Sequence, residues 1–365
     1  MITKGTGVRG SRGGFRSQLA VGTAFVSLFA GYGGRLAQAG ECVVDGVAGT
    51  YLCSGAANAA TDGSQEFITS APLTLTTAPG FGMTVGTGNA LNLRGYGGVT
   101  FDDLDHDSPI TTTGSSARGF DVNNHVSGDL TITATGVLNT TSDGIYARTR
   151  TGTAATNISV GQVTAGSRGL RIRSDGNGPM TITATGAINS VNTGVRAYSF
   201  LFPGDARPDQ ASIDISTAAV TSTGSSSNGI YANNAGLGHV NITATGAVAG
   251  GSNGIQASNY GAGLSVDAAD VTGGSGSGIT VEKDGGGDIT IGAGQVTGGA
   301  RGIIARNKAG GDRTVAVTGA TAGSGTGHGI LARNEGTGIV SISSTGLVSG
   351  GTGIEAISAS DNDVT

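Results

Sequence analysis

One full repeat of the chain lies at residues 169–197, GLRIRSDGNGPMTITATGAINSVNTGVRA. It opens with Gly169-Leu170-Arg171-Ile172, and the same pattern returns 25 positions later as Gly194-Val195-Arg196-Ala197. Between the two lies Ile182-Thr183-Ala184, whose apolar residues are again two positions apart. That spacing is typical of a β-strand with one buried face and one wet face. The stretch therefore predicts short strands separated by turns of small residues.

The glycine that opens this repeat recurs along most of the chain, at spacings of 24 to 27 residues apart from one of 35. The ten anchor glycines are Gly119, Gly144, Gly169, Gly194, Gly229, Gly254, Gly278, Gly302, Gly329 and Gly353. Strands this short cannot bury a face alone, but stacked coils close a common core. We predict an all-β fold, a right-handed parallel β-helix with about 25 residues per coil. Glycines at the coil corners are expected to supply positive φ.

The first 39 residues have the features of a secretory signal peptide. Basic residues such as Arg12 and Arg16 precede an apolar run at 19–30, and Ala37-Gln38-Ala39 offers an A-x-A cleavage site. We therefore predict export through the inner membrane, to the cell surface, the outer membrane or the medium.

The remainder is predicted to contain an N-terminal cap with a disulfide loop and irregular first coils at 40–115, followed by regular repeats at 116–365. Cys42 and Cys53 are the only two cysteines. In an oxidising compartment two nearby thiols favour one disulfide, and two free thiols are the alternative.

Composition narrows the possible functions. Only 12% of the residues are charged, 70 are glycine and none is Trp, which is unlike an ordinary globular enzyme. Removal of residues 1–39 leaves 15 basic against 25 acidic side chains. A net charge of about −10 argues against nucleic acid as a partner.

The chain resembles the passenger region of bacterial autotransporters, the type V secretion proteins. The resemblance rests on the signal peptide, the early cysteine pair around Tyr51-Leu52-Cys53-Ser54-Gly55, and the Thr-Ile-Thr-Ala-Thr-Gly units at 131–136 and 181–186. It implies adhesion, biofilm formation or contact with a host surface. It also implies a transmembrane β-barrel translocator as partner. Because the chain ends at Thr365 in passenger-like sequence, we expect that barrel either on a longer form of the chain or on another polypeptide, unless the protein is simply secreted.

Catalytic chemistry finds little support, and we predict a non-catalytic protein without cofactor or metal. The best acidic cluster is Asp102, Asp103, Asp105 and Asp107 beside His106. It could bind a hard cation, but no second carboxylate group recurs on adjacent coils, which favours a solvated turn. The alternatives are a carbohydrate-active β-helix enzyme, a lyase or hydrolase, and a purely structural stalk.

Arginine and tyrosine concentrate on the outward positions of the Gly-anchored strand. We predict a ligand-binding stripe for anionic glycan or an acidic host or cell-surface protein, because Arg pairs with carboxylate or sulfate and Tyr stacks on sugars. The alternative is that charge lies wherever a strand faces water. The predicted stripe consists of Tyr146, Arg148, Arg171, Arg173, Arg196, Tyr198 and Tyr231.

The 35-residue spacing between Gly194 and Gly229 indicates an inserted loop at 199–208. Insertions in a solenoid emerge sideways, often on a binding face. Phe200, Leu201 and Phe202 are predicted to form an exposed contact there; the alternative is that they fold back over the neighbouring coil.

Overall fold

The computed structural model describes residues 40–104, 107–150, 152–200, 211–359 and 364–365. The predicted signal peptide at 1–39 lies outside this part of the chain, as do Leu201 and Phe202 of the inserted loop. Asp105 and His106 of the acidic cluster are outside it as well. Among the described residues there is no helix that could cross a bilayer.

Three sheets, which we call A, C and B in the order in which each coil visits them, contain all the named strands. Sheet A has 13 strands, at Glu41–Val44, Thr50–Ser54, Leu73–Thr77, Val99–Asp102, Leu130–Ala134, Thr156–Val160, Met180–Ala184, Ile213–Thr217, Val240–Ala244, Leu264–Ala268, Ile289–Ala293, Arg313–Val317 and Val340–Ser344. Sheet C has 11 strands, at Met83–Val85, Ile110–Thr112, Leu138–Thr140, Val163–Ala165, Ile188–Ser190, Val220–Ser222, Val248–Gly250, Val271–Gly273, Val296–Gly298, Thr321–Gly323 and Val348–Ser349. Sheet B has 12 strands, at Gln65–Thr69, Leu91–Gly95, Phe120–Asn124, Ile145–Thr149, Leu170–Ser174, Val195–Ser199, Ile230–Asn234, Ile255–Asn259, Ser277–Lys283, Arg301–Asn307, His328–Asn334 and Thr352–Ser358.

Every strand pairs in parallel with the equivalent strand of the next coil, apart from one antiparallel pair, Glu41–Val44 with Thr50–Ser54. The predicted right-handed parallel β-helix is confirmed. Segment 40–115 contains the antiparallel pair, in which Cys42 lies opposite Cys53, and coils that stack in line with the later ones.

The core is a tube of aliphatic side chains from all three sheets. In Leu170–Ser174 the first, third and fifth residues are buried and the other two are partly exposed, and most strands of sheets A and B repeat this alternation. Ile182 of sheet A is fully buried and lies opposite Ile158 and Ile215 in the neighbouring coils. Stacking of like residues thus removes these inward apolar side chains from water.

The anchor glycines owe their place to close packing. The prediction of positive φ at coil corners is wrong for these ten, but it is confirmed for other corner glycines such as Gly128, Gly287 and Gly311. None of the ten has a positive φ. A Cβ on Gly194 would instead lie 2.7 Å from the carbonyl oxygen of Gly229 in the next coil, and it would also overlap Val220. Any side chain at this corner would push the stacked coils apart.

The last residues of the sheet B strands form an internal polar ladder. The Asn234 side-chain amide donates to the carbonyl oxygen of Ala211 at 2.8 Å and to Oδ1 of Asn259 at 3.2 Å. Asn307 and Asn334 bond turn carbonyls in the same way. The ladder satisfies backbone oxygens at the corner between sheets B and A that would otherwise be buried without partners.

Two cations interrupt this interior. Lys283 takes the ladder position between Asn259 and Asn307, and its Nζ donates to the carbonyl oxygens of three glycines, with Gly261 at 2.7 Å. Burial lowers the pKa of Lys283 to about 8, and the charges of two nearby aspartates only partly oppose that shift. Arg313 is fully buried in sheet A, and its three guanidinium nitrogens have no hydrogen-bond partner among the described residues.

Candidate functional site

The predicted stripe lies on the outer face of sheet B. Tyr146 is opposite Arg171, Arg171 is opposite Arg196, and Arg196 is opposite Tyr231 on successive strands. A second column beside it holds Arg148, Arg173 and Tyr198 in the same order. Parallel pairing places each side chain about 4.8 Å from its neighbour in the next coil. All seven predicted stripe residues therefore form one patch across four coils.

Guanidinium groups lie against the tyrosine rings of this patch. The Tyr146 ring is contacted by Arg118 and Arg171, whose Cζ atoms are 4.7 and 4.9 Å from its centroid. Arg196 lies 5.1 Å from the Tyr198 centroid and 5.5 Å from that of Tyr231. Cation–π contacts of this kind hold an arginine in place without cancelling its charge.

Two nearly inaccessible aspartates fix part of the arginine set. Asp175, with a side-chain exposure of 0%, accepts a hydrogen bond from Arg173 at 2.5 Å and also pairs with Arg148. Asp143 lies 3.6 Å from Arg168 and 3.7 Å from Arg118. These carboxylates sit beneath the patch, so they orient the guanidinium groups from below.

Arg171 and Arg196 have no such partner. Neither forms an ion pair with any described residue, and their recorded contacts are with tyrosine rings. Six arginines occupy the patch against three aspartates, and the full set is Arg118, Arg148, Arg168, Arg171, Arg173 and Arg196 with Asp121, Asp143 and Asp175. The patch therefore has excess positive charge on a chain that is acidic overall.

The pKa values reflect this imbalance. Burial lowers the pKa of Arg168; Asp143 opposes the shift, and the nearby Arg171 and Arg196 add to it. For Arg173, burial also acts to lower the pKa, but the hydrogen bond to Asp175 and its charge outweigh burial and raise it. Within the same patch the pKa is thus raised for Arg173, which is paired with a carboxylate, and lowered for Arg168, which is buried near other arginines.

Farther along sheet B three exposed cations are each paired with one carboxylate, whereas Arg301 forms no ion pair with any described residue. Arg306 pairs with Glu282 at 3.3 Å, and Arg333 pairs with Glu335 at 3.1 Å. The next pair, Lys308 with Asp284 at 2.7 Å, follows the same rule. Adjacent arginines without a carboxylate partner thus occur in the coils between Arg118 and Tyr231.

The inserted loop leaves the helix at the edge of the patch. Thirteen residues separate Val195–Ser199 from Ile213–Thr217, whereas five separate Leu170–Ser174 from Met180–Ala184. Phe200, at the start of the loop, lies 4.7 Å from Arg173 by ring centroid and is 44% exposed. The insertion therefore begins beside the second arginine column.

The acidic cluster and the cysteine pair are not part of the patch. Asp103 of the acidic cluster is fully buried and accepts hydrogen bonds from Thr77 at 2.9 Å and from the Ser108 hydroxyl at 2.5 Å, so it is a structural group and not part of a solvated turn. No group of three or more metal-binding side chains is assembled within the described ranges. Cys42 and Cys53 are joined by a disulfide that crosses the antiparallel pair.

Comparison with known protein families, with curated proteins and with solved structures gives no match to this chain.

Proposed function

We propose that this chain is an exported, non-catalytic surface-interaction module that binds anionic glycans through the arginine-rich patch of sheet B. The observation that carries the proposal is the adjacent pair Arg171 and Arg196, which have no carboxylate partner among the described residues. A polyanion running along the coil axis meets these charges in succession. Its carboxylate or sulfate groups can accept the hydrogen bonds that the protein's own acids leave unmade.

The surroundings favour a glycan over a flat acidic protein surface. The arginines are held in two straight columns by ring contacts and by Asp143 and Asp175 from below, so little side-chain entropy is lost on binding. A linear polymer can follow such columns over several coils. A folded acidic protein would need complementary charges at the same regular spacing.

Export and adhesion belong to the same proposal. The signal-peptide features at 1–39, the cysteine pair and the resemblance to autotransporter passengers support a location at the cell surface or outside the cell. A rigid solenoid exposes its side chains along its whole length, which suits a protein that holds a polymer or a host surface.

The test compares two double variants that remove equal charge. Arg171→Ser with Arg196→Ser takes away the unpaired arginines, and Arg306→Ser with Arg333→Ser takes away two that pair with exposed glutamates. We expect the first to abolish retention on immobilised heparin while its far-ultraviolet circular dichroism stays that of the wild type. The second should bind almost normally. Equal binding by both, or no binding by the wild type, would refute the proposal.

A separate assay tests the proposal that the protein is not an enzyme. The wild-type protein is incubated with polygalacturonate and with heparin, and the release of reducing or unsaturated sugar ends is followed. We expect no release over the background of the buffer. Time-dependent release that scales with protein concentration would identify an enzyme instead.

A further inference from the structure

We infer that a cleft beside the patch, at the corner between sheets C and B, holds one carboxylate or sulfate group of an acidic sugar unit. The inference rests on the proposed function and makes it more specific. The cleft has a volume of about 510 Å³ and is lined by Arg168, Asn192, Thr193, Arg196 and the turn at 224–227. Clefts that bind small ligands have volumes of roughly 300–1,000 Å³, so one pyranose unit fits.

An elongated turn forms the outer wall of the cleft. The connection from sheet C to sheet B has seven residues at 223–229. The same connection has only four residues in the preceding coil, at 191–194, and in the following coil, at 251–254. The three additional residues project beside Arg196 and over the preceding turn. The insertion thus encloses space at the edge of the patch where Arg196 is unpaired.

Hydrogen bonds hold this wall in shape. The Gly224 N–H donates to the carbonyl oxygen of Val191 at 2.6 Å, and the Ser227 N–H and hydroxyl both donate to the carbonyl oxygen of Gly224. The Ser227 hydroxyl also accepts from the Gly251 N–H at 3.2 Å. The turn is therefore tied to the coils on both sides, which favours a preformed cleft.

The lining is made of cations and small polar side chains. Arg196 enters the cleft without an acidic partner, and Arg168 shares Asp143 with Arg118. Ser225 and Ser226 are exposed at the wall, and their hydroxyls form no hydrogen bond among the described residues. Guanidinium and hydroxyl donors around one space match the oxygens of a carboxylate or sulfate and the hydroxyls of a sugar ring.

The position of Arg196 links the cleft to the stripe. Its backbone belongs to the column that contains Arg171 and Tyr231, while its side chain lines the cleft. A glycan lying on the column would therefore place one of its units next to the cleft. This arrangement predicts that the cleft selects for an acidic group at one position of a longer chain.

A charge placed in the cleft tests the inference and leaves the six stripe residues other than Arg196 as they are. Ser226→Glu adds a carboxylate at the wall, and Ser115→Glu adds the same charge on an exposed turn of the same corner four coils earlier. Like charges brought together repel each other, so we expect Ser226→Glu to raise the Kd for a heparin tetrasaccharide at least tenfold. We expect Ser115→Glu to change it less than threefold. Arg168→Gln serves as a second variant and should weaken binding in the same direction.

Separate probes identify the group that is bound. Oligogalacturonate contains only carboxylates, sulfated dextran fragments contain only sulfates, and neutral dextran contains neither. Binding of either charged probe that is lost in Ser226→Glu supports the inference and names the group. If the wild type binds and Ser226→Glu and Arg168→Gln both bind equally well, the cleft is refuted while the stripe stands. If the wild type binds none of the probes, the proposed function fails and the cleft fails with it.

Discussion

Arg171 and Arg196 lie directly opposite each other on neighbouring parallel strands, and neither is paired with a carboxylate among the described residues. Like charges in directly opposed positions destabilise a sheet. The protein therefore keeps a pair that is unfavourable for folding, with ring contacts as the compensation. A pair of this kind is more readily explained by a ligand than by stability.

Replacement of Arg171 should separate stability from binding. We expect Arg171→Gln to change the free energy of unfolding by no more than about 0.5 kcal/mol, because the lost repulsion offsets the lost contact with Tyr146. Affinity for heparin should fall at the same time. Urea denaturation and a heparin binding isotherm measure the two effects. A loss of stability above 2 kcal/mol would show that Arg171 has a structural role.

Asp175 should matter far more for folding than an ordinary surface acid. Its side chain is inaccessible and holds Arg148 and Arg173, so Asp175→Asn removes charge-assisted hydrogen bonds worth about 2–3 kcal/mol. Glu282→Gln is the control, because Glu282 and its partner Arg306 are 37% and 43% exposed and exposed pairs contribute less than about 1 kcal/mol. Denaturant midpoints of the two variants give the comparison. Equal effects would contradict the orienting role of Asp175.

Lys283 should make stability increase with pH in the alkaline range. Its pKa is about 8 in the folded protein and 10.5 in its unperturbed state, so between these values the unfolded chain binds the proton that the folded chain has lost. The charged form is disfavoured in the fold below pH 8, and this penalty is relieved as the pH rises towards 10.5. Between pH 7.5 and 9.5 the gain should be about 2 kcal/mol.

The control for that prediction is Lys283→Asn, which restores the residue found at the neighbouring ladder positions. Denaturant unfolding of both proteins at pH 7.5 and 9.5 gives the difference attributable to Lys283, since other titrating groups are common to the two. Identical pH dependence of the two proteins would show that the lysine is not the source.

Arg313 should be replaceable with a gain in stability. It occupies a core position whose neighbours in the adjacent coils are Ile289 and Val340, and burial lowers its pKa to about 10. Substitution of buried charge by well-packed apolar residues is often stabilising by about 1–4 kcal/mol. We expect Arg313→Leu to raise the thermal midpoint, and the reverse change, Ile289→Arg, to lower it. Destabilisation by Arg313→Leu would indicate a partner for the guanidinium.

The strand repeat and the order of the residues along the stripe could both be predicted from the sequence. Counting outward positions from each anchor glycine placed Tyr146, Arg171, Arg196 and Tyr231 in one column, and the strand register confirms it. This succeeded because parallel stacking with a constant coil length turns sequence spacing directly into spatial neighbourhood. The same regularity explains why the fold class was predictable without any relative.

The features that the sequence did not predict lie in turns or are charged side chains that point inward. Asp175 follows Arg173 by two positions in a turn, and no periodic pattern indicates that it lies beneath two arginines. Lys283 is 24 residues from both Asn259 and Asn307, so the repeat spacing alone could have placed it in the polar ladder. The wall at 223–229 was hidden because the whole of the extra length before Gly229 was assigned to the loop that follows Ser199.

The parallel register of sheet B places equivalent side chains of successive coils at a constant spacing. Each coil advances by the same distance, which backbone hydrogen bonding sets at about 4.8 Å. A substitution can therefore change the side chain at a given position of a coil, but not the distance between equivalent positions. A polymer whose charges recur at a multiple of that distance can contact several coils at once. In a polymer with another repeat, the charges no longer face the arginines after a few coils. On the proposed function, selectivity for the periodicity of the ligand would follow from the rise per coil of the solenoid.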